Sequence, residues 1–400
     1  MDIRKKTKLA LVLSGGGIKA AAFHIGVCLA LEEKGFRFAG GTKDQVEKNY
    51  PPEDEKVFRM YVGSSAGSFI SSILAAGYST ESLIQAFEMG SGFPFKHKWK
   101  DDPLSLEPFS YRHIFNFNGL NLIQSLPRVV QDWSVLTGGL ETLIKSRFKI
   151  NGFFNTAGIE RYLRKYVLFE NDFRQLGVDL FVIGTQLNHS RKAIFGPFEE
   201  SRKTRDIKFI NYASISDAVA ASTALPPVFA PYPIKKPDGK EIYFFDGEIR
   251  DTLSTHVAAD NGADLVISSY SVQPYHFSPD IGSLHKFGIP VIINQALYQV
   301  IQQKIARHIQ NQNNIRKIHE DIDKYLKEIK LSKEQRMKVL EIIEKQTNFK
   351  PNVDYIYIHP HEKNHEMFFV DHFSLNPEIL ARIVKIGFKS CLNTLRQHNL

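Results

Sequence analysis

The sequence predicts an α/β fold: a central, mostly parallel sheet flanked by helices in three layers, with an aromatic/basic insertion and a helical insertion. Three observations predict it. Short apolar runs recur along the chain at Lys8–Leu13, Val57–Val62, Leu180–Gly184, Ile207–Ile210, Ile242–Phe245, Leu265–Ser268 and Tyr355–Ile358. Helical apolar patterns fall between them, as in a sheet covered on both faces. The first two runs pass through glycine-rich turns directly into helices, Ser14-Gly-Gly-Gly17 and Gly63-Ser64-Ser65-Ala66-Gly67.

Arg4, Lys5, Lys6 and Lys8 before Leu9–Leu13 imitate a signal peptide, but the apolar run is too short and stops at glycines. It reads as a buried strand entering a loop. Ile18 to Lys34 follows as a helix, small or apolar on nearly every side and therefore packed against a sheet. Gly35 stands at its C-cap. Phe36 to Glu55 is polar and proline-broken, a surface excursion. Ser91 to Phe154 interrupts the alternation and mixes Phe93, Phe95 and Trp99 with Lys96, Lys98 and Lys100. That composition suits a membrane interface, or a lid packed over a site. Ile293 to Gln346 is strongly helical, and Asn376 to Arg396 is an amphipathic helix expected to dock back. The expected units are a catalytic domain over 8–290 with its insertion at about 91–154, a helical extension over 291–350, and a C-terminal strand and helix over 351–400.

The chain has 400 residues, with 43% hydrophobic and 24% charged, an ordinary globular balance. Its net charge of +8 and pI near 9.1 favour anionic surfaces. Cys28 and Cys391 suggest no disulfide framework. No apolar run reaches membrane-spanning length. A cytoplasmic or membrane-peripheral protein is expected, and export by a route without a leader is compatible with it.

The candidate chemistry centres on Ser65. A strand-to-helix turn between Gly63 and Gly67 is the layout of a nucleophile elbow, which exposes a serine hydroxyl at a helix N-terminus. A serine hydroxyl needs a base within reach and donors for the developing oxyanion. Gly15, Gly16 and Gly17 offer unshielded amides at a second helix N-terminus, and Lys19 is placed to hold an anionic group of the substrate. Asp246, at the end of Ile242–Phe245 and before Gly247, is the candidate base. The small residues and prolines of Ala220–Pro231 give its strand a rigid approach. A Ser-Asp-His arrangement stays open, with His256, His359, His361, His365 and His372 all beyond Asp246. Gly15-x-Gly17-x-x-Ala20 also fits a short dinucleotide fingerprint, but Phe36–Glu55 lacks the acidic residue that should end the next strand.

Four motifs occur in order at fitting separations: Gly15-Gly16-Gly17-Ile18-Lys19, Gly63-Ser64-Ser65-Ala66-Gly67, Ala221-Ser222-x-Ala224-x-Pro226-x-x-Phe229, and Asp246-Gly247. Together they resemble the patatin-like phospholipase family from about Lys8 to Ser268. The resemblance implies a Ser–Asp dyad of Ser65 and Asp246, an oxyanion hole of the Gly15, Gly16 and Gly17 amides, and hydrolysis of acyl esters in phospholipids or lysophospholipids. It implies no cofactor or metal, a lipid ester as substrate, peripheral membrane contact, and no nucleic acid partner; oligomeric state is left open. Ser14, Lys19 and Ala20 depart from the family's usual aspartate, arginine and glycine. Glu248 stands where a glycine or alanine is common and adds a carboxylate near the site. A Ser-Asp-His carboxylesterase, an acyl transferase and a lipid-binding protein with degraded chemistry are the alternatives.

Overall fold

The computed structural model describes residues 6–89, 105–117 and 151–400. Six strands position the site: β1 (Leu9–Leu13), β2 (Val57–Ser64), β3 (Asp179–Gln186), β4 (Glu241–Asp246), β5 (Leu265–Ser269) and β6 (Asp354–Ile358). They are accompanied by α1 (Gly17–Glu33), α2 (Ala66–Ala75), α3 (Ile215–Ser222), α4 (Thr255–Asp260), α5 (Ile289–Glu328), α6 (Lys333–Thr347) and α7 (Pro377–Gln397).

The strands lie in the order β6-β5-β1-β2-β3, all parallel. Beyond β3 the sheet becomes mixed: Arg191–Phe195 pairs antiparallel with β3, and Ile207–Ile210 runs parallel to that strand. β4 also joins β3 antiparallel, on the side that β2 vacates. The mostly parallel sheet expected from the sequence is present, with β4 as an antiparallel member.

The central strands are apolar at every position because both faces are covered. Leu9, Leu11 and Leu13 enter one core with Phe23, Ile70, Val219 and Ile383 from α1, α2, α3 and α7. Ala10 and Val12 enter a second core with Met60, Val62, Val257 and Val266, under α4. Alternate residues of one strand thus feed two cores, and three layers result.

The helix after Ser14-Gly-Gly-Gly17 is apolar all round because α7 covers the side that the sheet does not. The two helices cross at paired glycines. A Cβ on Gly26 would overlap the Val384 carbonyl oxygen, and one on Gly387 would overlap that of Phe23. Cys28 and Cys391, one on each helix, are buried free thiols.

α5 begins at Ile289, a turn earlier than the sequence suggests, with Pro290 in its first turn. Its 40 residues make a rod of about 60 Å. Few of its side chains are buried, Tyr298, Ile305 and Leu326 among them. It is held by two small apolar clusters, Tyr298 with Val272, Tyr275 and Phe368, and Ile305 with Leu253 and Tyr270, and by polar contacts: Lys304 to the Ile249 carbonyl, His308 to Thr255 Oγ1, and Arg316 to the Val353 carbonyl. Among the described residues no helix is long and apolar enough to cross a membrane.

Phe93, Phe95, Lys96, Lys98, Trp99 and Lys100 of the aromatic/basic stretch lie outside the described residues. Its described part packs inward: Phe109 sits among Phe69, Phe87 and Tyr162, and Phe115 sits against Phe154, Phe229 and Phe373.

Gly387→Ala should destabilise the fold by about 1–3 kcal/mol, because the added methyl must push α7 off α1. Urea denaturation measures it. An unchanged midpoint would mean that the helix crossing is not closely packed.

Candidate active site

β2 ends at Ser64, and the chain turns into α2 through Ser65, which has φ 50° and ψ −123°. A non-glycine residue with positive φ needs support from its surroundings. Here that support is steric and polar. A Cβ on Gly63 would meet the backbone of Ser68, and one on Gly67 would meet the Leu13 carbonyl, so only glycines allow a turn this tight. The Ser65 N–H donates to Ser222 Oγ at 2.8 Å, and that hydroxyl donates to the Ile183 carbonyl. The Ser65 carbonyl accepts from Ser68 and Phe69 N–H in the first turn of α2.

Asp246 reaches the same place along β4. Ser64 pairs with Ile183 on β3, and Asp246 pairs with the next residue, Gly184. β4 therefore enters the lane that β2 leaves, and the ends of the two strands meet. Gly247 lets them do so, since a Cβ there would overlap the Ile183 carbonyl and Ser64 Oγ. The Asp246 backbone is held by the Ala224 carbonyl and by Thr185 Oγ1.

The Asp246 carboxyl is buried, accepts from the Glu248 N–H at 2.8 Å, and stands beside the Ser65 hydroxyl, which favours its ionised form. Burial pushes its pKa up to about 6, against the opposing pull of those two donors. Glu248 lies beside it with its own carboxyl held well above the usual range, first by burial and then by the Asp246 charge. Two adjoining carboxyls in a dry site resist double ionisation, and Asp246 ionises first. The site thus favours a charge on Asp246 over one on Glu248.

Of the three glycines ahead of α1, Gly15 lies nearest Ser65: a Cβ on it would stand 2.7 Å from the Ser65 Cβ. Its N–H is engaged, donating to Glu248 Oε1 at 2.7 Å. Gly16 and Gly17 have φ 130° and 72°, and their N–H groups have no protein partner among the described residues. The next amides, Ile18 and Lys19, both donate to the His372 carbonyl.

Lys19 does not serve as the sequence suggests. It is 1% exposed, and its ammonium donates to Tyr298 Oη at 2.7 Å and to the Met367 carbonyl at 2.8 Å. Burial lowers its pKa to about 7, with Asp371 opposing. The reason lies in the helix: every side of α1 is covered, so a residue two places inside it has no route to solvent. Two of its three donors go to the C-terminal part of the chain, and its burial presents no exposed charge to a substrate's anionic group.

No histidine among the described residues is bonded to the Ser65 hydroxyl. His372 Nε2 lies 2.7 Å from Tyr298 Oη, and burial followed by the Lys19 charge lowers its pKa to about 3. His256 sits between Lys192 and Asp251. His359 bonds the neighbouring Pro360 carbonyl, His361 accepts from Lys363 N–H, and His365 packs on Tyr275. The histidine whose ring bonds the strand end before the glycine turn is His24, not among the residues singled out from the sequence. Its Nε2–H donates to the Ser14 carbonyl at 2.8 Å, so its Nδ1 accepts from Ser269 Oγ. Burial keeps it neutral, with a pKa near 4. The available signal was a polar side chain flanked by apolar neighbours in the middle of a helix. Among the described residues no group of three or more His, Cys, Asp or Glu could hold a metal ion.

Ser222→Ala would strand the buried Ser65 N–H and the Ile183 carbonyl together. A loss of about 1–3 kcal/mol in stability is expected, read by thermal unfolding, with reduced reactivity of Ser65 towards a fluorophosphonate. Wild-type values of both would deny Ser222 its supporting role.

The model of one family, described as Patatin-like phospholipase, matches residues 11–259. The match runs from inside β1 to the end of α4 and so takes in the glycine turn, Ser65, Ser222 and Asp246. The family is one of lipid acyl hydrolases, and the fold is its three-layer α/β arrangement. This chain belongs to the patatin-like phospholipase family.

Proposed function

We propose that the chain hydrolyses acyl ester bonds of phospholipids or lysophospholipids, with Ser65 as nucleophile and Asp246 as its base. The observation that carries this reading is the buried Asp246 carboxyl, brought beside Ser65 where β2 and β4 end on adjacent residues of β3. Family membership supplies the substrate class.

In this reading the turn at Ser65 is a nucleophile elbow. Ser65 Oγ attacks the ester carbonyl carbon while its proton passes to Asp246. The carbonyl oxygen becomes an oxyanion facing the Gly16 and Gly17 amides, and the Gly15 amide joins them once the Glu248 carboxyl shifts. Asp246 then returns the proton to the departing alcohol, leaving an acyl-serine. Water attacks that ester with Asp246 again taking a proton, and the fatty acid leaves as Ser65 is restored. Aspartate is a weak base, and its raised pKa brings it nearer the working pH. The neutral Glu248 carboxyl spares the oxyanion a second adjacent negative charge.

Ser65→Ala and Asp246→Asn should each slow hydrolysis of a defined phospholipid by about 10²–10⁴-fold, while a chelator leaves the wild-type rate unchanged. An Asp246→Asn enzyme keeping most of its rate would remove the base from this scheme. The pH profile has a definite sign. The base works only when ionised, so kcat/KM should fall as pH drops through about 6. Glu248→Gln matches the neutral carboxyl in shape and should keep most of the rate at neutral pH. A collapse there would mean that Glu248 acts through its charge.

A further inference from the structure

Of the large apolar side chains left exposed among the described residues, seven fall between Phe277 and Val300. Five of them, Ile289, Ile292, Ile293, Leu297 and Val300, form a stripe along the first three turns of α5. Their spacing of three and four residues places them on one face. Phe287, half-exposed before the helix, stacks near the partly exposed Phe369, and Phe277 is 72% exposed on the preceding loop. Nothing in the described chain covers this face, and an isolated stripe of this length is unusual on a protein surface that meets only water.

The charge around it is one-sided. From Ile281 to His319 there is no Asp or Glu, while Lys286, Lys304, Arg307, Arg316 and Lys317 fall in the same span. Lys286, Lys304 and Arg307 are exposed at the two ends of the stripe. An apolar helix face bordered by cations, with exposed Asp280 on the preceding loop as the acid nearest to it along the chain, is complementary to an anionic lipid surface, where side chains enter the acyl boundary and cations meet headgroups.

Its place in the fold agrees. Tyr298, on the inward side of these turns, is bonded to Lys19, two residues after Gly17. The stripe therefore stands on an element anchored at the glycine turn, at the end of the sheet where Ser65 lies. It falls outside the residues that match the family.

We propose that the N-terminal three turns of α5, with Phe277 and Phe287, form a docking surface for anionic lipid bilayers. The proposal rests on a lipid ester being the substrate, and it names the surface by which the chain would reach it. The opposite end of α5, polar and of mixed charge with Glu320, Asp321, Asp323 and Glu328 among its basic residues, would remain in water.

The test is co-sedimentation with vesicles of phosphatidylcholine alone and of phosphatidylcholine mixed with phosphatidylglycerol, with Ser65→Ala as background so that lipid is not consumed. The mixed vesicles should bind the chain, and high salt should weaken that binding. Ile293→Asp/Leu297→Asp should bind at least about tenfold less, since two buried apolar side chains are lost from the interface. Ile293→Gln/Leu297→Gln should fall between. Made instead in the wild-type chain with Ser65 intact, both pairs of substitutions should leave hydrolysis of a soluble short-chain ester at the unaltered rate. Equal vesicle binding by the variants would overturn the proposal, as would a wild-type dimer that the same substitutions make monomeric, since the stripe would then join two copies. Equal binding to purely zwitterionic vesicles would overturn the anionic preference. Vesicle binding without any esterase activity would uphold this surface and sink the proposed hydrolysis. Hydrolysis of soluble ester with vesicle binding unaffected by the variants would do the reverse.

Discussion

The site depends on one meeting of strand ends. On β3 the consecutive residues Ile183 and Gly184 face Ser64 at the end of β2 and Asp246 at the end of β4. The two strands share a single lane from opposite directions, so the residue that turns out of β2 and the carboxyl that ends β4 are forced together. Backbone pairing to a common strand holds them more firmly than side-chain contacts across a cleft would. The cost is crowding, and it explains the residue types around the junction. Gly63, Gly67 and Gly247 each stand where a Cβ would overlap a neighbouring backbone, and Ser222 bonds the Ser65 amide and the Ile183 carbonyl at once.

Burial then sets the electrostatics. Asp246 and Glu248 share a dry site, where burial raises both carboxyls and the Asp246 charge raises Glu248 further. The Asp246 carboxyl stands beside the serine with no cation acting on it. Glu248 has a second effect. By accepting from the Gly15 amide it fills the position nearest Ser65 with a resident carboxyl. The described arrangement is accordingly a closed one, with Ser65 itself 7% exposed.

A second network, outside the catalytic contacts, fastens the glycine turn to the C-terminal part of the chain. The His372 carbonyl takes two amides at the start of α1, and Lys19, Tyr298 and His372 form a buried polar chain behind it. Satisfying these groups inside a low-dielectric interior requires all of them in place together. The turn that faces the serine is thereby coupled to α5, although α5 contributes few side chains to either main core.

The sequence by itself determined much here. Apolar runs long enough to be strands, but with no polar face, required a sheet covered on both sides. Glycines at Gly15–Gly17 and around Ser65 required tight turns, because Gly16 and Gly17 take positive φ and a Cβ at Gly15, Gly63 or Gly67 would overlap neighbouring atoms. Local sterics and hydrophobic patterning act over a few residues, so they can be read along the chain. The antiparallel entry of β4 could not be, since strand direction depends on pairing with residues about sixty positions away. Nor could the fate of Lys19 or His24: both stand in an apolar helix, and only the covering by α7 and the reach of Tyr298, Met367 and Ser269 decided what each would bond. A buried polar group goes where a partner is within hydrogen-bonding distance, and that distance is a property of the folded chain.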